Sequence, residues 1–507
     1  CLEGLKLISE FYEESVYDVS LKQMLNLLPL EFNNLPKFNN DEYVEIETIL
    51  KIILDFTTSR HKLIKESIIA LTQQLFKVTN TKADRSVDYC FLILSTIYSL
   101  FENNIILMTM EESQSIKNAI EPILLEILDL QNDENIINDD FNFSILSNIF
   151  YFINLKTNKE NHGEQLIKYN NLFQDKYGVL TNFPTRSILP YSKILSALDK
   201  STPFDTVETI FKEVITLLQD GKFDKELEKL GYLELLMVLT NKWLKEDIIK
   251  SYINWEDQSN INLEILTWIG KGLVMENSSL APEVLTKFIE LLSDVKVGGL
   301  VARLFEIFVI DISSMKKVKG ITWNNNVKLL YKQKFFSDIF KILVTSYKKT
   351  ETMFIKCNYL TALSLVLKHT PSKLVEPFMN DLLPMLLEAL EMNNGEVRTS
   401  SLETLKDVTE KFHQLVTDHV QTLIPLLLKL VTPDDVNNTI LVRLLSLQLL
   451  EAITKVVPLN YCLDFKEQIL VGTVIPLSDK KRVIRKQCID TRQVYFELGQ
   501  APFELFK

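Results

Sequence analysis

Five histidines and five cysteines are the residues of this 507-residue chain best suited to metal or nucleophile chemistry, and their spacing supplies neither. His61, His162 and His369 are isolated. His413 and His419 are six apart, which does not place them on one helical face. Cys1, Cys90, Cys357, Cys462 and Cys488 never come closer than 26 positions, so no CxxC or zinc-ribbon spacing exists. So sparse and odd a set reads as reduced thiols. There is no GxGxxG, GxxxxGK, HExxH or GxSxG. The carboxylate pairs Glu13-Glu14 and Glu111-Glu112 read as solvated helix faces or dipole partners, not as acid/base pairs. No catalytic residue, metal site or cofactor is expected.

What remains is recognition by charge. Between Lys316 and Lys349 lie nine lysines and one acid, Asp338, with Trp323, Tyr331, Phe335, Phe336, Phe340 and Tyr347 interleaved. A basic and aromatic surface can grip nucleic acid. An acidic protein partner and a plain solvated face fit as well, so Lys328, Lys332 and Lys334 are carried as a secondary basic face. The second cluster is sharper. From 480 to 492 there are six bases and one acid, Asp490. Bases in a first helical turn oppose the helix dipole by about 0.3–1 kcal/mol each. Stability alone would place them at the other end, so Lys480, Lys481, Arg482, Arg485 and Lys486 are the candidates for partner docking, Arg485 alternatively for structure.

Net charge is −12, which argues against a general nucleic-acid or anionic-membrane binder. The charge is uneven. Residues 1–155 hold 24 acids and 11 bases; the rest hold 43 and 44. The longest uncharged apolar stretch, Tyr89 to Phe101, has 13 residues and is too short for a bilayer. The first residue is not Met, so we expect a fragment of a longer protein.

The elements that must position these residues are helices. Gly (13) and Pro (15) are both scarce. Leu441, Leu445, Leu449, Ile453 and Val457 form an i, i+4 ladder, the mark of an amphipathic helix. Ser372 and Asp479 stand at helix starts, and Gly499 suits a left-handed helix end before Pro502. A repeat sets the architecture. Lys356, Arg398, Arg443 and Arg485 recur at intervals of 42, 45 and 42, each early in a helix. Leu382–Leu387 and Leu423–Leu428 are matching preceding helices with an internal proline. This period belongs to HEAT or armadillo arrays. The expectation is an all-α fold, an α-solenoid of HEAT-type helix pairs: degenerate acidic repeats over 1–250, C-terminal repeats with the docking region over 251–507, in one continuous solenoid. Lys356, Arg398 and Arg443 are expected to pair with an acid or loop carbonyl of an adjacent repeat. Two LxxLL strings, Leu383–Leu387 and Leu441–Leu445, are expected on the core stripe.

The run Pro476–Lys486, then Arg492, Tyr495, Phe496, Leu498 and Gly499, closely resembles the C-terminal signature of one HEAT-repeat family. Further matches precede it in order: Tyr331–Asp338, Asn358–Leu360 and Leu382–Leu390, with a looser one over Leu266–Asp294. The family is the large adaptor subunit of the cytosolic iron–sulfur protein assembly (CIA) targeting complex, also known as a nucleotide-excision-repair and transcription-related protein. The resemblance covers about 260–499 and is only architectural before 250. It implies a non-enzymatic scaffold that ligates no cluster itself. Its C-terminal repeats would dock a β-propeller protein and a small acidic-loop α/β protein. Apo iron–sulfur clients, among them DNA helicases, polymerases and primase, would be recruited in cytoplasm and nucleus. The reading kept beside it is a HEAT factor of repair or transcription complexes that binds nucleic acid or a multisubunit assembly directly.

Overall fold

Amphipathic runs broken by short polar loops give helices throughout the described part of this computed structural model. It describes residues 7–8, 11–29, 41–57, 61–80, 86–129, 139–177, 187–223, 225–312, 315, 327–411 and 413–499. Lys316, Lys317, Lys319, Trp323, Cys1, Pro502 and the Ser372 side chain lie outside these.

After short helical turns near the start come α1 (Asp41–Thr57), α2 (His61–Asn80), α3 (Ser86–Asn104), α4 (Met110–Asp129), α5 (Asp140–Leu155), α6 (His162–Tyr177), α7 (Ile188–Ala197), α8 (Val207–Gln219), α9 (Glu226–Lys242), α10 (Glu246–Tyr252) and α11 (Asn260–Glu276). Then follow α12 (Ala281–Leu291), α13 (Gly298–Val309), α14 (Leu329–Lys349), α15 (Met353–Lys368), α16 (Met379–Glu391), α17 (Gly395–Lys411), α18 (His413–Leu430), α19 (Ile440–Val456), α20 (Leu459–Asp464), α21 (Lys466–Gly472) and α22 (Arg482–Glu497). The fold is an all-α solenoid of HEAT type, with no strand among the described residues. The chain divides into two units, Cys1–Ser278 with Asp311–Lys328, and Ser279–Ile310 with Leu329–Lys507.

In the first unit the second helices of successive pairs stack side by side: α3 on α5, α5 on α7, α7 on α9, α9 on α11. Local chemistry starts them. Thr109 and Glu112 close a reciprocal capping box on α4 (2.8 and 3.1 Å), which gives one of the paired carboxylates its job. Gly272 on α11 lies against α9 so closely that a Cβ would stand 2.8 Å from the Met237 carbonyl oxygen. Only glycine permits that approach.

In the second unit α13, α15, α17, α19 and α22 form the corresponding stack. Pro384 and Pro425 sit inside first helices α16 and α18, and Pro122 inside α4 of the first unit. The leucine ladder of α19 departs from expectation. Leu441 is 56% exposed and Leu445 half-buried, while Val442, Ser446, Leu447, Leu449, Leu450 and Ile453 are buried. A step of four residues turns about 40° past a full helical turn, so an i, i+4 ladder winds off the core. The LxxLL string at 441–445 therefore lies partly on the surface. Leu383, Leu386 and Leu387 are buried as expected.

Candidate protein-docking site

The repeat cations of the second unit sit at equivalent places on stacked helices, and their surroundings differ step by step. Lys356 on α15 reaches Glu388 of α16 at 2.9 Å and lies 4.9 Å from the Tyr347 ring centre. Arg398 on α17 is buried. It donates to Asp435 Oδ2 (2.6 Å) and Asn438 Oδ1 (2.8 Å), in the loop between α18 and α19. Arg443 on α19 donates to Asp479 Oδ2 (2.9 Å), ahead of α22, and to the Asn438 carbonyl. Each arginine thus bridges to the loop of the following pair. The acids are doubly used. Asp435 accepts from the Asn437 amide, Asp479 from the Lys481 amide, both at 2.8 Å. The Asn437 amide and the Arg398 guanidinium hold the Asp435 carboxyl below the usual carboxylate range. A guanidinium presents several donors in one plane and stays charged when buried, which suits it to loop acids.

At α22 the series ends. Arg485 turns back to the Asp479 carbonyl of its own loop at 2.6 Å. Arg492 is half-buried and holds the Leu470 carbonyl and Thr473 Oγ1. The basic cluster of the last helix therefore splits. Arg485 and Arg492 hold structure, while Lys480, Lys481, Arg482 and Lys486 are exposed and make no side-chain hydrogen bond or ion pair among the described residues. Beside them Val483 (57%), Ile489 (56%) and Phe496 (47%) stand exposed on the same helix. Val483 and Phe496 belong to the signature run quoted above, but none of the three was among the docking candidates read from the sequence. Their signal was there: Arg482, Lys486, Ile489, Gln493 and Phe496 follow i, i+4, i+7 spacing.

The helix beneath is firmly set. Tyr495 Oη donates to the Leu450 carbonyl (2.8 Å), Thr491 Oγ1 to Leu447 (3.1 Å) and Gln487 Nε2 to Glu451 (2.8 Å), all on α19. Lys466 caps the end through the carbonyls of Phe496 and Leu498 (3.1 and 2.8 Å). Gly499 follows at φ +76°, as its position before Pro502 suggested.

The secondary basic face is not assembled as the sequence suggested. Lys332 is only 5% exposed, because α14 turns it to the side of Phe335, Phe336 and Ile339. Lys334 is exposed, Lys328 is half-buried and falls in the first unit, and all three have partners. Among the described residues no three His, Cys, Asp or Glu side chains are grouped to hold a metal. Cys90, Cys357, Cys462 and Cys488 are buried free thiols, and burial pushes each above its ordinary pKa. No described helix is long and apolar enough to cross a membrane.

The family described as "RNAPII transcription regulator C-terminal" matches residues 49–454. The chain belongs to that family. The DNA repair/transcription protein MMS19 of Saccharomyces cerevisiae is 54% identical over 510 residues, which is 99% of this chain and 49% of the relative. The "DNA repair/transcription protein mms19" of Schizosaccharomyces pombe is 30% identical over 60% of this chain and 30% of its own length. The chain thus spans about half the length of the budding-yeast relative. Among solved structures the karyopherin Kap121p superposes with a TM-score of 0.41 at 13% identity, covering 98% of this chain and 46% of that one. Nothing in these matches indicates a catalytic family.

Proposed function

We propose that this chain is a non-catalytic adaptor whose last helix pair docks the smaller subunits of the CIA targeting complex, so that apo iron–sulfur clients of DNA repair and replication are recruited for cluster insertion. The observation that carries the reading is the break at α22. Preceding arginines are consumed by loop acids, whereas Lys480, Lys481, Arg482 and Lys486 are exposed without partners among the described residues, beside Val483, Ile489 and Phe496. Mixed cationic and apolar surface on a rigid helix suits an acidic protein partner with an apolar centre. Lys356, Arg398 and Arg443 set the stacking that presents it. Such an adaptor works in cytoplasm and nucleus, with partners that are proteins.

The test is Lys480→Glu together with Lys481→Glu, in a pull-down with the β-propeller subunit and the small acidic α/β subunit. Loss of capture is expected. Undiminished capture by a folded double variant removes the electrostatic dock.

A second reading is favoured by the relatives' names, which speak of DNA repair and transcription. In it the chain binds nucleic acid or a repair assembly directly. Gel-shift binding that weakens steeply with salt would support it, and no binding at low salt would reject it.

A further inference from the structure

A groove on the second unit carries charge opposite to that of α22. It is lined by α15, α16, α17 and α19 and encloses about 510 Å³. Its buried lining includes Val375, Met379 and Leu382, with Leu365 half-buried at the edge. Ser364 also lines it. That residue is 2% exposed, and its Oγ has no hydrogen-bond partner. A buried helical hydroxyl usually bonds its own backbone, as Thr370 Oγ1 does to the Val366 carbonyl at 2.7 Å. Leaving one unmade is unfavourable unless something else supplies the acceptor.

The opposite wall is α17. Glu403 and Glu410 are exposed there, neither in an ion pair among the described residues, with Asp407 between them. The lining also holds two cations. Lys406 is hydrogen-bonded to Gln448 at 3.1 Å, and Lys368 stands 3.8 Å from Glu306. The lining thus holds three acids, Glu403, Asp407 and Glu410, against two bases, Lys368 and Lys406, which leaves it acidic by one formal charge.

We propose that this groove docks a segment of a protein partner bearing an apolar side chain flanked by basic residues. The apolar side chain covers Leu365 and Leu445, the half-buried leucines of the lining. A carbonyl beside it accepts the Ser364 hydroxyl. Flanking Lys or Arg residues pair with Glu403 and Glu410. This partner segment has the opposite charge to the one that suits α22, and its docking does not depend on the function proposed above.

The probe is a fluorescein-labelled helical peptide with leucine at i, i+4 spacing flanked by lysines. One companion has serine for leucine and another has glutamate for lysine. Binding to the full 507-residue chain is read by anisotropy at low salt. The acidic first third attracts any cationic peptide weakly, so the readout is the difference between native chain and variant. Glu403→Lys with Glu410→Lys is expected to weaken the lysine–leucine peptide by about tenfold or more. Glu403→Gln with Glu410→Gln should act in the same direction without reversing the surface charge. Lys480→Glu with Lys481→Glu is expected to leave this peptide unaffected, which separates the groove from the α22 dock. Equal affinity for native and charge-reversed chains overturns the proposal. So does equal binding of the leucine and serine peptides, or of the lysine and glutamate peptides.

Discussion

The two units bury positive charge by different means. The first hides lysines. Lys193 Nζ stands 2.6 Å from Glu234, with both side chains almost fully buried. Lys242 points its ammonium at the carbonyls closing α7, those of Leu195, Ser196 and Leu198 (3.3, 2.5 and 2.6 Å). Lys117 reaches Asn154 Oδ1 at 2.7 Å. Desolvation pushes the Lys242 pKa down to about 7 and the Lys117 pKa down to about 8. The second unit instead uses Arg398 and Arg443 as bridges between neighbouring repeats and keeps most lysines outside. An ammonium is a compact donor that can close a helix end; a guanidinium fork reaches two loops and stays charged. In the first unit Lys117 joins the two helices of one pair while Lys193 and Lys242 join α7 directly to α9, whereas in the second the arginines reach the loop of the following pair.

Substitutions put this contrast at risk. The largest effect is expected at the buried pair of the first unit. Glu234→Ala removes the carboxylate beside buried Lys193 and should cost about 3–5 kcal/mol, whereas Lys193→Met with Glu234→Leu should be close to neutral. Denaturant unfolding followed by Trp243 fluorescence, from the same unit, separates the two. A single variant as mild as the double one would end the idea that desolvation dominates there.

Next comes Asp479→Ala, which removes the acceptor of Arg443 and of the Lys481 amide. A loss of about 1.5–3 kcal/mol is expected. It should appear as faster hydrogen exchange in α22, with α3 unchanged. Unaltered exchange in α22 would show that the bridge does not tie the last pair to its neighbour.

A smaller effect concerns pH. His162 accepts from the Asp199 amide at Nδ1 (3.0 Å) and meets Thr157 Oγ1 at Nε2 (3.0 Å), so it is held neutral. Desolvation is the largest cause lowering its pKa, with nearby Lys117, Lys242 and Lys159 adding to it and Asp199 opposing. Its folded pKa is below the unfolded one. Below about pH 6.5 the unfolded chain therefore takes up a proton that the folded one refuses. The stability of the first unit should fall from there until the folded pKa is passed, by at most about 1.4 kcal/mol per pH unit. The Trp243 unfolding midpoint should show this slope, and His162→Gln should flatten it. A parallel slope in the variant would clear His162 of the role.

The smallest stability change is expected for Lys480→Glu with Lys481→Glu. Lys480 and Lys481 are exposed, unpaired among the described residues and stand ahead of Arg482, the first residue of α22, so the dipole cost expected for first-turn bases is reduced and unfolding should change by less than about 0.5 kcal/mol. A large destabilisation would mean that they hold the solenoid end, not a partner.

Much of this was legible in the residues. The 42- to 45-residue recurrence of Lys356, Arg398, Arg443 and Arg485 already dictated stacked helix pairs, because no such unit can bury its apolar stripe alone. The prolines of α16 and α18 and the glycine at 499 were equally readable, since their backbone chemistry is local. The leucine ladder of α19 was misleading at its start. Spacing reports a stripe, but the phase of that stripe against the core depends on where α17 and α22 pack. The basic face around Lys332 was unreadable for the same reason.

Fold class, repeat length and the places where cations stand were settled by the linear chain, because they depend on short-range periodicity and on residue type. Which of those cations are consumed was settled by packing. Arg443 and Arg485 look alike in the chain, yet one meets the acid of a following repeat and the other turns back to its own loop. A charge is satisfied or left available by what packs within a few ångströms of it, and residues 36 positions apart become neighbours only when the helix pairs stack.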